Sequence, residues 1–214
     1  MAKTLRVSLF LLVALWGLVL LVMATCRDYV PTPKPRAYPR ILYPTGSYQP
    51  FNASGCPFTF DIPTYAEVEQ NVSFFDEGPK SSCWFTVHVR ALNAQIHCSY
   101  YPITDRARFD ELVQDAFTMA QKHNIKASYI EEIPIHRTAD HVHGIVFSLE
   151  GAAASSYQFF LTDSVRHFLR GALYFKTQAR PDSLAPVLEF MRRDVNRLVG
   201  TLRWQDAPSK RKAR

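Results

Sequence analysis

The chain has 214 residues, 47% of them hydrophobic and 13% aromatic, with a formal net charge of +6, which agrees with a globular protein able to bury a core of its own. The charge sits at the ends: Lys3 and Arg6 at the start, and Lys210, Arg211, Lys212 and Arg214 in the tail. Residues 26–209 are formally neutral, which excludes a basic face for nucleic acid.

The first element is a leader. Lys3 and Arg6 precede an apolar run from Val7 to Ala24, and Cys26 ends it. Cations, an apolar stretch and small residues before a cysteine form the layout of a bacterial lipoprotein signal peptide, with Cys26 as the lipidated residue. Met23-Ala24-Thr25-Cys26 departs from the usual lipobox at Thr25, where Gly, Ala or Ser is common. The run of 18 residues is also at the lower edge of a membrane span, so an uncleaved anchor helix is the alternative. Both routes leave the folded part outside the cytoplasm, because Lys3 and Arg6 stay inside. Several acyl chains, at about 0.8 kcal/mol per buried methylene, anchor a protein more firmly than a surface patch does. Arg27-Asp28 after the cysteine carries no clear inner-membrane retention cue and only one acid. That points to an outer-membrane anchor with the body facing the periplasm.

Arg27 to Pro50 holds six of the fourteen prolines. This density opposes helix and sheet and favours extended polyproline II. At about 3.1 Å per residue the first fourteen residues of this spacer reach roughly 40 Å. The later half has the alternative of lying along the domain.

Period-two alternation then predicts strands over Pro57–Ile62, Ala66–Asn71, Ser82–Arg90 and Ala94–Tyr101. A helix is expected from about Asp105 to His123, with Phe109, Leu112, Val113, Ala116 and Ala120 on one face and Thr104 or Asp105 as N-cap. Further strands are expected near Ala127–Ile133, Val142–Leu149, Ser155–Leu161 and Phe168–Phe175. The last helix should start near Ser183, capped by Asp182 or Ser183. Pro186 would then fall in its first turn, and Leu188, Met191, Val195, Leu198 and Leu202 would form its buried stripe. Strand phase places Cys98 with Ala94, Ile96 and Tyr100 as a small core residue. Cys56 and Cys83 each begin a strand beside loop residues, which favours a disulfide between them in an oxidising compartment. Short turns between strands imply antiparallel pairing. The fold class is α+β, a mostly antiparallel sheet with two helices packed on one face in two layers. The chain divides into a leader (1–25), a lipidated spacer (26–50), a single domain (51–206) and a basic tail (207–214).

The most distinctive stretch runs from Gly151-Ala-Ala-Ala-Ser-Ser-Tyr-Gln-Phe-Phe-Leu-Thr-Asp163-Ser164 to His167-Phe-Leu-Arg-Gly-Ala-Leu-Tyr-Phe175. Asp182-Ser-Leu-Ala-Pro-Val187 and Thr201-Leu-Arg-Trp204 follow, and Asp28-Tyr-Val-Pro31 and His123-Asn-Ile-Lys-Ala127 precede it. With these residues the mature chain resembles the GldD family of gliding-motility lipoproteins of Bacteroidetes. The resemblance implies a non-enzymatic cell-envelope lipoprotein required for gliding. Its partners would be the membrane, through its lipid anchor, and other gliding and type IX secretion proteins. The resemblance implies no cofactor, and no small-molecule substrate is expected. Thr25 and the cysteines at 56, 83 and 98 depart from the family pattern.

Read residue by residue, 151–156 is a tight turn into a strand, Phe159, Leu161, Leu169, Leu173 and Phe175 are core, and Asp163 and Ser164 cap a connector. The functional alternative makes Ser155, Ser156, His167 and Arg170 a partner-docking or ligand surface. An envelope ligand-binding lipoprotein would use that turn. A metal-dependent hydrolase would use His141, His143 and His167, with His136 or Asp140 as a further ligand. No metal motif supports the latter. Ser155 and Ser156 lack the Gly-x-Ser-x-Gly setting of a nucleophile, and Glu131 and Glu132 point to opposite faces of a strand.

Overall fold

The structure is a computed structural model that describes residues 9, 12–20, 40–52, 55–70, 83–122, 127–177 and 180–205. Cys26, most of the leader, the spacer up to residue 39 and the tail lie outside these residues. The chain forms two compact units, Met1–Pro39 and Arg40–Arg214. In the first, residues 12–20 form helix α1. Among the described residues no helix is long and apolar enough to cross a membrane.

The second unit is built from two antiparallel sheets and two helices. Its strands are β1 (Tyr48–Asn52), β2 (Phe58–Pro63), β3 (Glu67–Gln70), β4 (Phe85–Val89), β5 (Ala94–Pro102), β6 (Ala127–Arg137), β7 (Val142–Gly151), β8 (Ser155–Thr162), β9 (His167–Phe175) and β10 (Arg203–Trp204). Its helices are α2 (Arg106–Gln121) and α3 (Pro181–Thr201). The large sheet has the order β3-β4-β5-β9-β8-β7-β6 and the small one β1-β2-β10. The α+β class and the antiparallel pairing agree with the alternation in the sequence.

The helices, however, do not share a face. Leu112, Ala116 and Ala120 of α2 pack with Phe147, Leu149, Phe160 and Phe168. Met191, Val195 and Leu198 of α3 pack with Val142, Val146, Phe159, Leu161, Leu169 and Leu173, and with Phe58 and Phe60 of the small sheet. Phe159 and Phe160 are neighbours on one strand, as are Phe168 and Leu169, so their side chains point to opposite faces. The central strands are apolar on both sides and need a cover on each. The single covered face expected from two helical stripes is thus corrected to three layers, with the large sheet in the middle.

Three local expectations also change. Pro50 lies inside β1, opposite Asp61, although the proline-rich stretch was expected to avoid sheets. β1 is an edge strand, where a missing N–H is tolerated. The folded unit begins at Arg40 rather than at 51: Ile41 packs on the core, and Tyr43 stacks on Phe190 at 4.8 Å between ring centroids. Finally, α3 starts at Pro181 with no side-chain cap, which places Pro186 in the helix interior. Proline at the first position needs no N–H there, so the helix begins at Pro181, two residues before the expected start near Ser183, and neither Asp182 nor Ser183 caps it. Asp105 does cap α2, its carboxylate accepting from the Arg108 N–H at 2.8 Å.

Cys56 and Cys83 are joined by a disulfide with 5.5 Å between Cα atoms, tying the start of β2 to the start of β4. Cys98 is free and buried, and burial pushes its thiol up.

Candidate functional site

The described surface has a groove of about 250 Å³ between the β7–β8 turn and the first turns of α3. Gly151, Ala153 and Ser156 line one side, and Leu184, Ala185 and Leu188 the other. Small residues let the helix approach here, and Gly151, with φ of +99°, takes a backbone conformation that favours glycine. Pro186, inside α3, has no N–H to donate to the carbonyl one turn back. Arg192 closes the groove; its guanidinium donates to the Ser148 hydroxyl at 2.7 Å and lies 5.2 Å from the centre of the Tyr157 ring.

The structure separates the four docking candidates. A register shift between Ser155 and Tyr157 sets Ser155 opposite Tyr174 and Tyr157 opposite Leu173. Such a bulge re-aims side chains: Ser155 is fully buried, while Ser156 lines the groove. His167 lies at the other end of the β8–β9 hairpin, seven residues from Tyr174, or roughly 23 Å along a strand. It is 7% exposed, shares a 2.8 Å hydrogen bond with the Tyr100 hydroxyl and stacks on Trp204 at 5.1 Å. Arg170, three residues along β9, points to the α2 side. The four do not form one surface.

Nor do the histidines converge. His141 ends a 3-10 turn with φ of +53°, as Asn93 does with φ of +49° in the β4–β5 connector. Its carbonyl accepts from the Trp204 indole at 3.2 Å, so position 141 serves the turn. His143 pairs across strands with His136, with 5.9 Å between ring centroids. His167 sits on the opposite face of the sheet. Among the described residues no group of three or more His, Cys, Asp or Glu is placed to hold a metal ion. Asp163 does organise its connector: one carboxylate oxygen accepts from the N–H groups of Val165, Arg166 and His167 at 3.0, 2.7 and 2.8 Å. Burial pushes its pKa up, but these amides outweigh burial and hold it below the usual range.

One polar centre escaped the sequence reading. Asp194 of α3 is 3% exposed and accepts from the hydroxyls of Tyr48 at 2.8 Å and Tyr65 at 2.7 Å. Burial raises its pKa, with both phenols acting in the other direction. Burial and the same hydrogen bond push the Tyr65 phenol upward. The signal was present: Asp194 sits three residues after Met191 and beside Val195, inside the apolar stripe of α3. A carboxylate in that register requires donors from another element.

The family model described as gliding motility lipoprotein GldD matches residues 28–204. No curated relative matches the chain. Among solved structures, the chain is similar to cyanobacterial PsbP (CyanoP) from Synechocystis sp. PCC 6803, at 7% identity and a TM-score of 0.47, covering 75% of this chain and 94% of that one.

Proposed function

The chain belongs to the GldD family of gliding motility lipoproteins, and from that membership we propose that it is a non-enzymatic assembly or scaffold component of the gliding and type IX secretion machinery. The supporting observation is the extent of the match. It runs from residue 28 to residue 204 and so takes in both sheets and both helices of the folded unit. The proposed anchor is lipid on Cys26, with the body held on the periplasmic side of the outer membrane. The proline-rich segment up to residue 39 is the proposed spacer.

A scaffold role suits a body in which the polar side chains of Asp163, His167 and Asp194 serve packing and turns. Asp163 builds a turn, His167 and Trp204 pack together, and Asp194 ties two tyrosines to α3. The test is a clean deletion scored for spreading and for type IX cargo in the medium, with in-cell crosslinking and mass spectrometry to identify partners. Loss of both spreading and secretion is expected, with crosslinks to envelope proteins of the apparatus. Intact motility in the deletion strain rules the role out. Lost motility with normal secretion removes the secretion link alone.

A further inference from the structure

Side chains of β5, β9 and β8 that face α2 stand in rows set by the register. Arg170 is opposite Ser99 on one side and Phe160 on the other, and Ala172 is opposite His97 and Gln158. Gln158 is therefore the diagonal neighbour of Arg170, at roughly 7–8 Å between strands, a span that long side chains close. Ala172 between them fills little of the space.

Both groups lack what burial demands. Gln158 is 3% exposed, and its side-chain Nε2 has no hydrogen-bond partner. Arg170 is half-buried, and among the described residues no hydrogen bond or ion pair reaches its guanidinium. Burial lowers its pKa, and the groups that bear on its charge are Tyr174, Tyr101 and Asp115. Other arginines of the body, the half-buried Arg137 and Arg192 and the exposed Arg197, have partners. Arg137 donates to the carbonyls of Gly200 and Leu202, Arg192 donates to Ser148, and Arg197 meets Asp61 at 2.6 Å. A half-buried guanidinium faced only by the through-space charge of Asp115, with no hydrogen-bonded partner of its own among the described residues and an unused amide donor on the diagonal, is a costly arrangement.

We propose that this pair of donors on the α2-facing side of the sheet binds an oxyanion, a carboxylate or a phosphate group. The two-pronged guanidinium of Arg170 takes two of its oxygens, and the Gln158 amide donates to it from the diagonal position. This site stands independently of the gliding assignment, since it rests on two unpaired donors on one face of the sheet.

The test is thermal unfolding of the full chain in detergent at pH 7. Sodium acetate and sodium phosphate are compared with sodium chloride at equal ionic strength. At about ten times Kd, either oxyanion should raise Tm by roughly 3–6 °C over chloride. The two salts distinguish a carboxylate from a phosphate ligand. Arg170→Met and Gln158→Leu should each weaken the response at least ten-fold, and Arg170→Lys should keep part of it. If Arg170→Met does not fold, Gln158→Leu carries the test alone. No rise beyond chloride, or an equal rise in a folded variant, overturns the site. A folded Arg170→Met that melts below the native protein in chloride alone also overturns it, because the guanidinium would then already be satisfied within the chain.

Discussion

A carboxylate buried in an apolar helix stripe persists only if donors meet it, and the two phenols that meet Asp194 come from residues 129 and 146 positions away. Tyr65→Phe removes one donor from a buried acceptor, which should cost about 1–3 kcal/mol. The matching fall in Tm is about 2–4 °C per kcal/mol for a domain of this size, checked by thermal melts with Tyr43→Phe as control. Titration at His97 acts on the whole body. Burial, then the nearby His88 and Lys176 charges, lowers its pKa from 6.5 to about 4. Between these values the unfolded chain holds a proton that the folded protein refuses. This contribution to stability is present above pH 6.5 and is lost as pH falls through about 4. Asp194 has the opposite sign: its raised pKa favours the folded state as pH falls toward the ordinary carboxylate value. Urea unfolding from pH 7 to pH 4 should show declining stability with a smaller slope in His97→Gln. An identical slope in that variant would discard the assignment to His97.

Elements carry their own safeguards. β6 is an edge strand of 11 residues, long enough to recruit another chain through its free backbone groups. Pro134 sits near its middle, opposite Ile145, and removes one donor there, while Glu131 and Glu132 place charge beside it. Pro134→Val combined with Glu132→Val should produce larger species by light scattering at concentrations where the native protein shows none. The disulfide acts between elements, closing a loop across a sequence separation of 27 and joining the small sheet to the large one. Cys56→Ala/Cys83→Ala should cost about 2–4 kcal/mol in urea unfolding, and reducing agent should have no further effect on that variant. Element positions were legible because each depends on local periodicity, as with the alternation of Phe85, Val87 and Val89 or the stripe of Met191, Val195 and Leu198. β1 was missed because proline argues against strands in general, and only its place at a sheet edge makes Pro50 acceptable. β10 was missed because two residues are too short for any period to show.

At the scale of the molecule, the anchor and the body are separate parts with separate tests. With Cys26 lipidated, Cys26→Ala should leave the protein releasable from membranes by carbonate or high salt. The native protein should stay bound and carry the added acyl mass in intact-mass measurement. Native protein of unmodified mass would discard lipidation. The sequence by itself determined the α+β class, the family, nearly every strand and helix, and the buried phase of Cys98, because alternation, helical stripes and motif residues are local properties of the chain. The candidate site was less legible. Ser155, Ser156, His167 and Arg170 lie within sixteen residues of one another, yet a bulge and a hairpin send them to different faces and ends of the sheet. The tertiary structure alone decided the order that sets β5 beside β9, the placement of α2 and α3 on opposite faces, and the meeting of Tyr48 and Tyr65 with Asp194. Those outcomes join residues far apart in sequence, and they are settled by how two apolar sheet faces are covered at once, which no local pattern encodes.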